Sequence, residues 1–203
     1  GANQTGDDNT AIGYAALLLN TASDNTAVGS LSLDANTSGT QNTAVGKDAL
    51  GVNTTASNNT AVGTFSLDAN VDGANNTAVG RGSLSANISG DESTAVGYQA
   101  LVLNTASDNT AVGSLVLDAN TSGTSNTAVG KSALSAIQTT NASTAVGYFA
   151  LALNTAADNT AVGSVALDAN TSGTKNTAVG KGSLSANQTT DDNTAVGYNA
   201  LIL

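Results

Sequence analysis

The chain has 203 residues, of which 40% are hydrophobic and 10% are charged, and its formal net charge is −10. It contains four Tyr, two Phe and no Trp or Met. The apolar residues are therefore mostly Ala, Val and Leu, which suit a narrow core. The acidic balance disfavours nucleic acid and anionic membranes as partners, and no apolar run is long enough to predict a membrane span. So biased a composition also suggests disorder, but the strict spacing of a repeat argues against it.

A five-residue block, Asn-Thr-Ala-Val-Gly, recurs from residues 9–13 onward, twelve times in all. Its only variations are Ile12, Ser93 and Ser143. The glycines that end the blocks are almost evenly spaced, as in Gly46, Gly63 and Gly80. Leucine always follows four positions after this glycine, and asparagine stands three positions later in ten of eleven cases, Ile137 being the exception. A polar turn segment then leads into the next block.

Each unit has room for two short strand-like segments, a glycine corner and a polar corner, but not for a helix. We predict an all-β fold: a parallel β-solenoid (β-roll) of about twelve coils of 16–17 residues. A single repeat domain would span residues 1–203. Because coils stack about 4.8 Å apart, identical residues lie above one another. The asparagines should form side-chain ladders at the corners, and the glycines allow a positive φ there.

The alanine of the block is invariant and needs an explanation. Taking Val45, Leu50 and Val52 as inward residues places Thr43 inside by the alternation of a strand, and Ala44 outside. Solvent does not demand a small residue, whereas a second backbone packed closely does. We predict that these alanines face another copy of the chain. The alternative is a flattened solenoid with alanine inside and threonine outside. The predicted interface residues are Ala11, Ala27, Ala44, Ala61, Ala78, Ala95, Ala111, Ala128, Ala145, Ala161, Ala178 and Ala195.

No catalytic, cofactor or metal site is expected. The chain has no His and no Cys, which removes the commonest general base and the strongest nucleophile, so we do not expect an enzyme. The pairs Asp7–Asp8 and Asp191–Asp192 suit calcium less well than solvated turns, because they lack the glycine-rich repeat of calcium-loaded β-rolls.

A longer period is superimposed on the coils. The residue after each glycine cycles through Tyr, Ser and a base, as in Tyr98, Ser114 and Lys131, to give a super-repeat of three coils. We expect acids and bases of successive coils to pair diagonally, which would fix the register. These are Asp34, Asp68, Asp118 and Asp168 with Lys47, Arg81, Lys131 and Lys181. We expect the few aromatic rings, those of the four Tyr and two Phe, to contact either a ligand such as a surface glycan or another chain at a seam.

Two sets of residues carry a resemblance to known families. The block 126–130 resembles the head repeats of trimeric autotransporter adhesins, and "NTAIGYAAL" at 9–17 is similar to repeats of phage-type tail-fibre proteins. The resemblance implies a left-handed parallel β-roll with three chains side by side, displayed on a cell surface or as a virion tail fibre. The coil here is longer than in the adhesin heads.

The leading functional hypothesis is a rigid extracellular rod, adhesin-like and assembled from several copies of the chain. Residues 1–19 match residues 185–203 at 14 of 19 positions. This similarity predicts either a segment of a longer fibre or a subunit that stacks head to tail. The alternative function is an ice-binding solenoid that uses a threonine row, although each strand has one threonine rather than a Thr-x-Thr pair. A third hypothesis, a passive spacer, has the same fold without a ligand.

Overall fold

The computed structural model describes residues 6–202 and contains twelve β-strands of three residues each. Within that range there is no helix, and hence no helix that could cross a membrane. The strands are β1 (Thr10–Ile12), β2 (Thr26–Val28), β3 (Thr43–Val45), β4 (Thr60–Val62), β5 (Thr77–Val79), β6 (Thr94–Val96), β7 (Thr110–Val112), β8 (Thr127–Val129), β9 (Thr144–Val146), β10 (Thr160–Val162), β11 (Thr177–Val179) and β12 (Thr194–Val196).

The strands form one parallel sheet in which each pairs with the next along the chain. The register never changes, so that threonine lies beside threonine and alanine beside alanine, as in Thr43 with Thr60 and Ala44 with Ala61. One short strand per repeat with consecutive parallel pairing is a β-solenoid. The predicted fold class is confirmed.

The segment that follows each block glycine is not the second strand that we expected. It is a run of turns in which the residues two and four positions after the glycine have positive φ, such as Asp48 at 54° and Leu50 at 50°. Left-handed residues at alternate positions cannot form a regular strand. Backbone hydrogen bonds nevertheless join this segment to the next coil, since the Leu50 N–H donates to the Ser66 carbonyl at 3.1 Å. Each coil thus has a strand on one side and a hydrogen-bonded turn segment on the other.

The interior is narrow and contains a buried hydrophobic cluster that runs along the stack. A typical coil contributes Ala44 from the strand and both Ala49 and Leu50 from the turn segment, all 0% exposed. The expectation for Leu50 is confirmed. The expectations for Val45 and Val52 were wrong, because Val45 is only half-buried and Val52 is exposed.

Two rows of buried asparagines run along the stack. In the first row, Asn42 Oδ1 accepts a hydrogen bond from the backbone N–H of Asn59 at 3.0 Å. In the second row, the Asn53 amide donates to Asn36 Oδ1 at 2.9 Å. All four residues are fully buried. The predicted ladders are confirmed, one from side chain to backbone and the other from side chain to side chain.

The block glycines are required by the stacking of the coils. Gly80 has a φ of +140°, and a methyl group on its Cα would overlap the carbonyl oxygen of Gly97 in the next coil. The left-handed conformation and the close backbone approach both exclude a side chain there.

Candidate functional site

The strands turn their alanines inward and their threonines and valines outward. In β8, Ala128 is 0% exposed and Val129 is 37% exposed, while Thr127 is partly exposed. This is the arrangement that we gave as the alternative, and the prediction of outward alanines was wrong. Those buried inside the coil are Ala27, Ala44, Ala61, Ala78, Ala95, Ala111, Ala128, Ala145, Ala161, Ala178 and Ala195. Ala11, in the first coil, is exposed.

The physical reason lies in the residue that precedes each strand, which is asparagine before ten of the twelve strands. Asn42 and Ala44 are two positions apart, so they point to the same side of an extended backbone. Asn42 is fully buried in its ladder, which brings Ala44 inside and turns Thr43 and Val45 outward. Only a small side chain fits there, because the leucine from the turn segment fills the same narrow interior. The buried asparagine was the signal in the sequence that would have given the correct orientation.

We call the outward threonines of β1–β12, with the valines and the single isoleucine beside them, the threonine–valine face. None of the twelve strands contains a charged residue. Eleven steps of about 4.8 Å make the face about 53 Å long. It is a regular, uncharged surface of hydroxyl and methyl groups on a strongly acidic chain.

One side of this face is bordered by what we call the glycine-corner row, the residues directly after the block glycines. It holds all four tyrosines and four of the five basic residues of the chain. The row consists of Tyr14, Ser30, Lys47, Thr64, Arg81, Tyr98, Ser114, Lys131, Tyr148, Ser164, Lys181 and Tyr198.

The bases of this row do not form the predicted diagonal pairs with aspartate. In residues 6–202 the salt bridge that forms joins Lys47 to Asp48, with Nζ and Oδ2 at 3.4 Å. The expected partners Asp34, Asp68, Asp118 and Asp168 are instead half-buried. The left-handed turn segment is the physical reason, because it departs from the strand geometry on which the expected pairs were based.

The aromatic rings of the row are accessible. Tyr98 and Tyr148 are 44% and 52% exposed, and the Arg81 guanidinium lies 5.9 Å from the Tyr98 ring centroid. Contact of these rings with a glycan stays a prediction.

The other side of the face is bordered by the polar-corner row, the residues six and five positions before each block glycine. It carries nine of the fifteen acidic residues and one base, Lys175. The row consists of residues 7–8, 23–24, 40–41, 57–58, 74–75, 91–92, 107–108, 124–125, 141–142, 157–158, 174–175 and 191–192. The residue before the strand, the strand itself and the block glycine lie between the two rows, whose nearest residues are six positions, or about 20 Å, apart.

Some carboxylates of the polar-corner row bind the neighbouring coil. Asp91 Oδ1 accepts a hydrogen bond from the Ala74 N–H at 2.7 Å. Asp191 Oδ1 accepts from both the N–H and the hydroxyl of Thr174, at 2.6 and 3.1 Å. These hydrogen bonds lower the pKa of Asp191, since they favour the charged carboxylate.

The turn segments hold a separate set of half-buried carboxylates. Burial is the main cause of the raised pKa of Asp34, Asp68, Asp118 and Asp168, and the charge of Asp48 adds to it at Asp34 and Asp68. One oxygen each of Asp68, Asp118 and Asp168 is buried without a hydrogen-bond partner.

An open cavity of about 390 Å³ lies beside two of these aspartates. It is lined by Asp34, Asp48, Gly51, Val52, Phe65 and Asp68. Across residues 6–202, no three acidic side chains are grouped so that they could hold a metal ion.

No protein-family model, curated protein sequence or solved structure matches this chain. The class that the fold defines is the β-solenoid repeat proteins. The resemblance to adhesin and tail-fibre repeats stays a hypothesis based on the sequence motif.

Proposed function

We propose that the chain is a rigid structural rod of an extracellular or virion-surface fibre, adhesin-like and assembled from several copies of itself. The threonine–valine face is the observation that carries this proposal. It is continuous over twelve strands and contains no charge.

An exposed apolar surface of this length is a liability for a protein that stays alone in water. Valines in six of the strands, from β7 to β12, are 36% to 71% exposed. Burial of such a row against a second chain removes methyl groups from water, which is the main driving force of association. Chains of net charge −10 repel one another, so an uncharged face is the surface through which they can approach.

The construction of the stack supports a mechanical role. Eleven successive strand pairings, the hydrogen-bonded turn segments and the two asparagine rows tie each coil to its neighbours. Each coil contacts only adjacent coils, so the length of the rod scales with the number of repeats.

Light scattering on the purified chain, over a range of concentrations, tests the proposal. A mass greater than one chain is expected. A single-chain mass at every concentration would show that the face has no partner copy, and would contradict the assembled rod. Negative-stain images of the same samples should show straight particles.

An ice-binding surface is the second candidate function, because the structure removes one objection to it. The threonines face outward in an unbroken, in-register row, rather than inward as strand alternation with valine inside had implied. A regular array of hydroxyl and methyl groups can order water in a repeating pattern. Against this function, the second outward residue of each strand is valine or isoleucine instead of threonine.

A thermal-hysteresis assay separates the two candidates. A face packed against another copy is closed to ice, so the rod proposal predicts no activity from an assembled sample. Hysteresis from a monomeric sample that is lost on replacing Thr127 and Thr144 with lysine would favour ice binding.

A further inference from the structure

The two borders of the threonine–valine face carry opposite charge. The glycine-corner row holds Lys47, Arg81, Lys131 and Lys181, while the polar-corner row holds nine acids and a single base. The four bases are all exposed. In residues 6–202 only Lys47 among them forms a salt bridge. Within one chain the two rows lie at opposite ends of the strands, about 20 Å apart, and therefore cannot neutralise each other.

This arrangement distinguishes the two ways in which a pair of faces can meet. A two-fold axis parallel to the rod keeps the rods parallel and exchanges left and right. The glycine-corner row of each copy then lies against the polar-corner row of the other. A two-fold axis along the strands makes the rods antiparallel and sets acid against acid and base against base. Opposite charges across an interface favour the first arrangement and like charges penalise the second.

The positions of the charges along the rod agree with parallel packing in register. Three of the four bases have an exposed aspartate one coil earlier in the polar-corner row. A lysine side chain, with its four-carbon stem, is long enough to span a coil step of about 4.8 Å. The three pairs are Asp24 with Lys47, Asp108 with Lys131 and Asp158 with Lys181.

The surface between the two border rows, with the threonine–valine face at its centre, is large enough for a stable contact between two copies. Its length of about 53 Å and its width of about 20 Å give about 1,000 Å² on each copy. The total of about 2,000 Å² lies at the upper end of the range for standard specific interfaces. The outward side chains are threonine and valine or isoleucine alone, so two such faces can interdigitate without burying a charge.

We infer that two copies pack face to face through their threonine–valine faces, with the rods parallel and in register, and that base–aspartate pairs close both borders. The contact is isologous, with a two-fold axis along the rod. The inference rests on the proposed assembly of copies and adds its surface, orientation and register.

Cysteine cross-linking tests the orientation, because the chain has no cysteine of its own. Each variant carries one cysteine, so that a bis-maleimide with a reach of about 10 Å, the spacing of two packed sheets, can join only two chains. Lys131→Cys mixed with Asp108→Cys should give a cross-linked dimer. The matched control mixes Lys131→Cys with Arg81→Cys, which would meet only if the two rods were antiparallel, and it should give none.

The mass of the wild-type chain, measured by light scattering, distinguishes a failure of this inference from a failure of the proposed function. The expected result is a mass of two chains, with a cross-link in the first mixture alone. A single-chain mass would overturn both this inference and the proposed function. A mass of three chains, or an assembly that cross-links in the second mixture or in neither, would overturn the parallel two-fold packing and leave an assembled rod.

Discussion

The side-chain amide of Asn53 donates a 2.9 Å hydrogen bond to Asn36 Oδ1, one coil earlier in the stack. The same amide donates to the Ala56 carbonyl at 3.0 Å, and Asn53 Oδ1 accepts from the Asn70 amide at 3.0 Å. Asn53 thus satisfies a corner of its own coil and joins the two neighbouring coils.

Replacing Asn53 with alanine should destabilise the rod by about 1–3 kcal/mol, because buried partners in three coils lose a hydrogen bond. Urea unfolding followed by circular dichroism measures this change. Gln138→Ala, at an exposed corner position, is the control and should change stability little. Equal effects of the two substitutions would show that the row does not hold the coils together.

Ile137 interrupts this row, and asparagine in its place should stabilise the protein. The buried hydroxyl of Thr140 has no hydrogen-bond partner, whereas at the equivalent corner of a later coil the Thr190 hydroxyl donates to Asn187 Oδ1. Ile137→Asn should therefore supply a partner for Thr140 and restore the amide bond to Asn120. We expect a higher unfolding midpoint in urea.

Ile137→Ala is the control, because it removes the same apolar group without adding the amide. It should lower the midpoint, as large-to-small core substitutions do. If Ile137→Asn lowers the midpoint as much as Ile137→Ala does, an asparagine at this position does not complete the row.

Two glycines only two positions apart should respond very differently to alanine. At Gly80 a methyl group would overlap the next coil's backbone, whereas at Gly82 the nearest atom is Gln99 Cγ at 3.6 Å. Gly82→Ala should cost about 1–2 kcal/mol for its left-handed φ. Gly80→Ala should cost considerably more, since the backbone of the next coil must move. Thermal unfolding measures both, and similar losses would contradict the stacking of the coils through these glycines.

Because four aspartates are half-buried, we predict that mild acid stabilises the folded chain. Burial raises the pKa of Asp118 above its usual value of 3.8, so the folded chain holds this proton more tightly than the unfolded chain. Stability should rise as the pH falls from above the raised pKa toward 3.8, and gain nothing more from this group below that. Asp191 acts in the opposite direction, because its pKa is lowered and its contribution is lost as the pH falls through the lowered value.

Asp118→Asn should raise the unfolding temperature at neutral pH. It should also reduce the increase in unfolding temperature that mild acid produces. Asp72→Asn, at an exposed position, removes the same charge and serves as the control. If both variants behave alike, overall charge repulsion accounts for the pH dependence and burial of Asp118 does not.

The sequence was sufficient to predict the solenoid, because the spacing of Gly80, Gly97 and their equivalents leaves one coil per repeat. The two asparagine rows also followed from that spacing. The orientation of the strand did not follow from the spacing. Val45 is larger than Ala44, and size alone suggested that the valine is inside. The left-handed residues at Asp48 and Leu50 had no signal in the sequence, since leucine is not typical of that conformation. The surface of the rod was therefore wrongly assigned although the fold was correct.

Light scattering on a face variant tests the central claim most directly. Val79, Val129 and Val179 occupy the threonine–valine face in three coils, and Ile88, Gln138 and Gln188 occupy an outer corner of the same three coils. Lysine at the three valines should reduce the mass to that of a single chain, because each copy then places three unpaired charges in the contact. Lysine at the three corner positions should leave the assembled mass unchanged. An assembled mass for the valine variant, with its circular dichroism spectrum intact, would contradict assembly through this face.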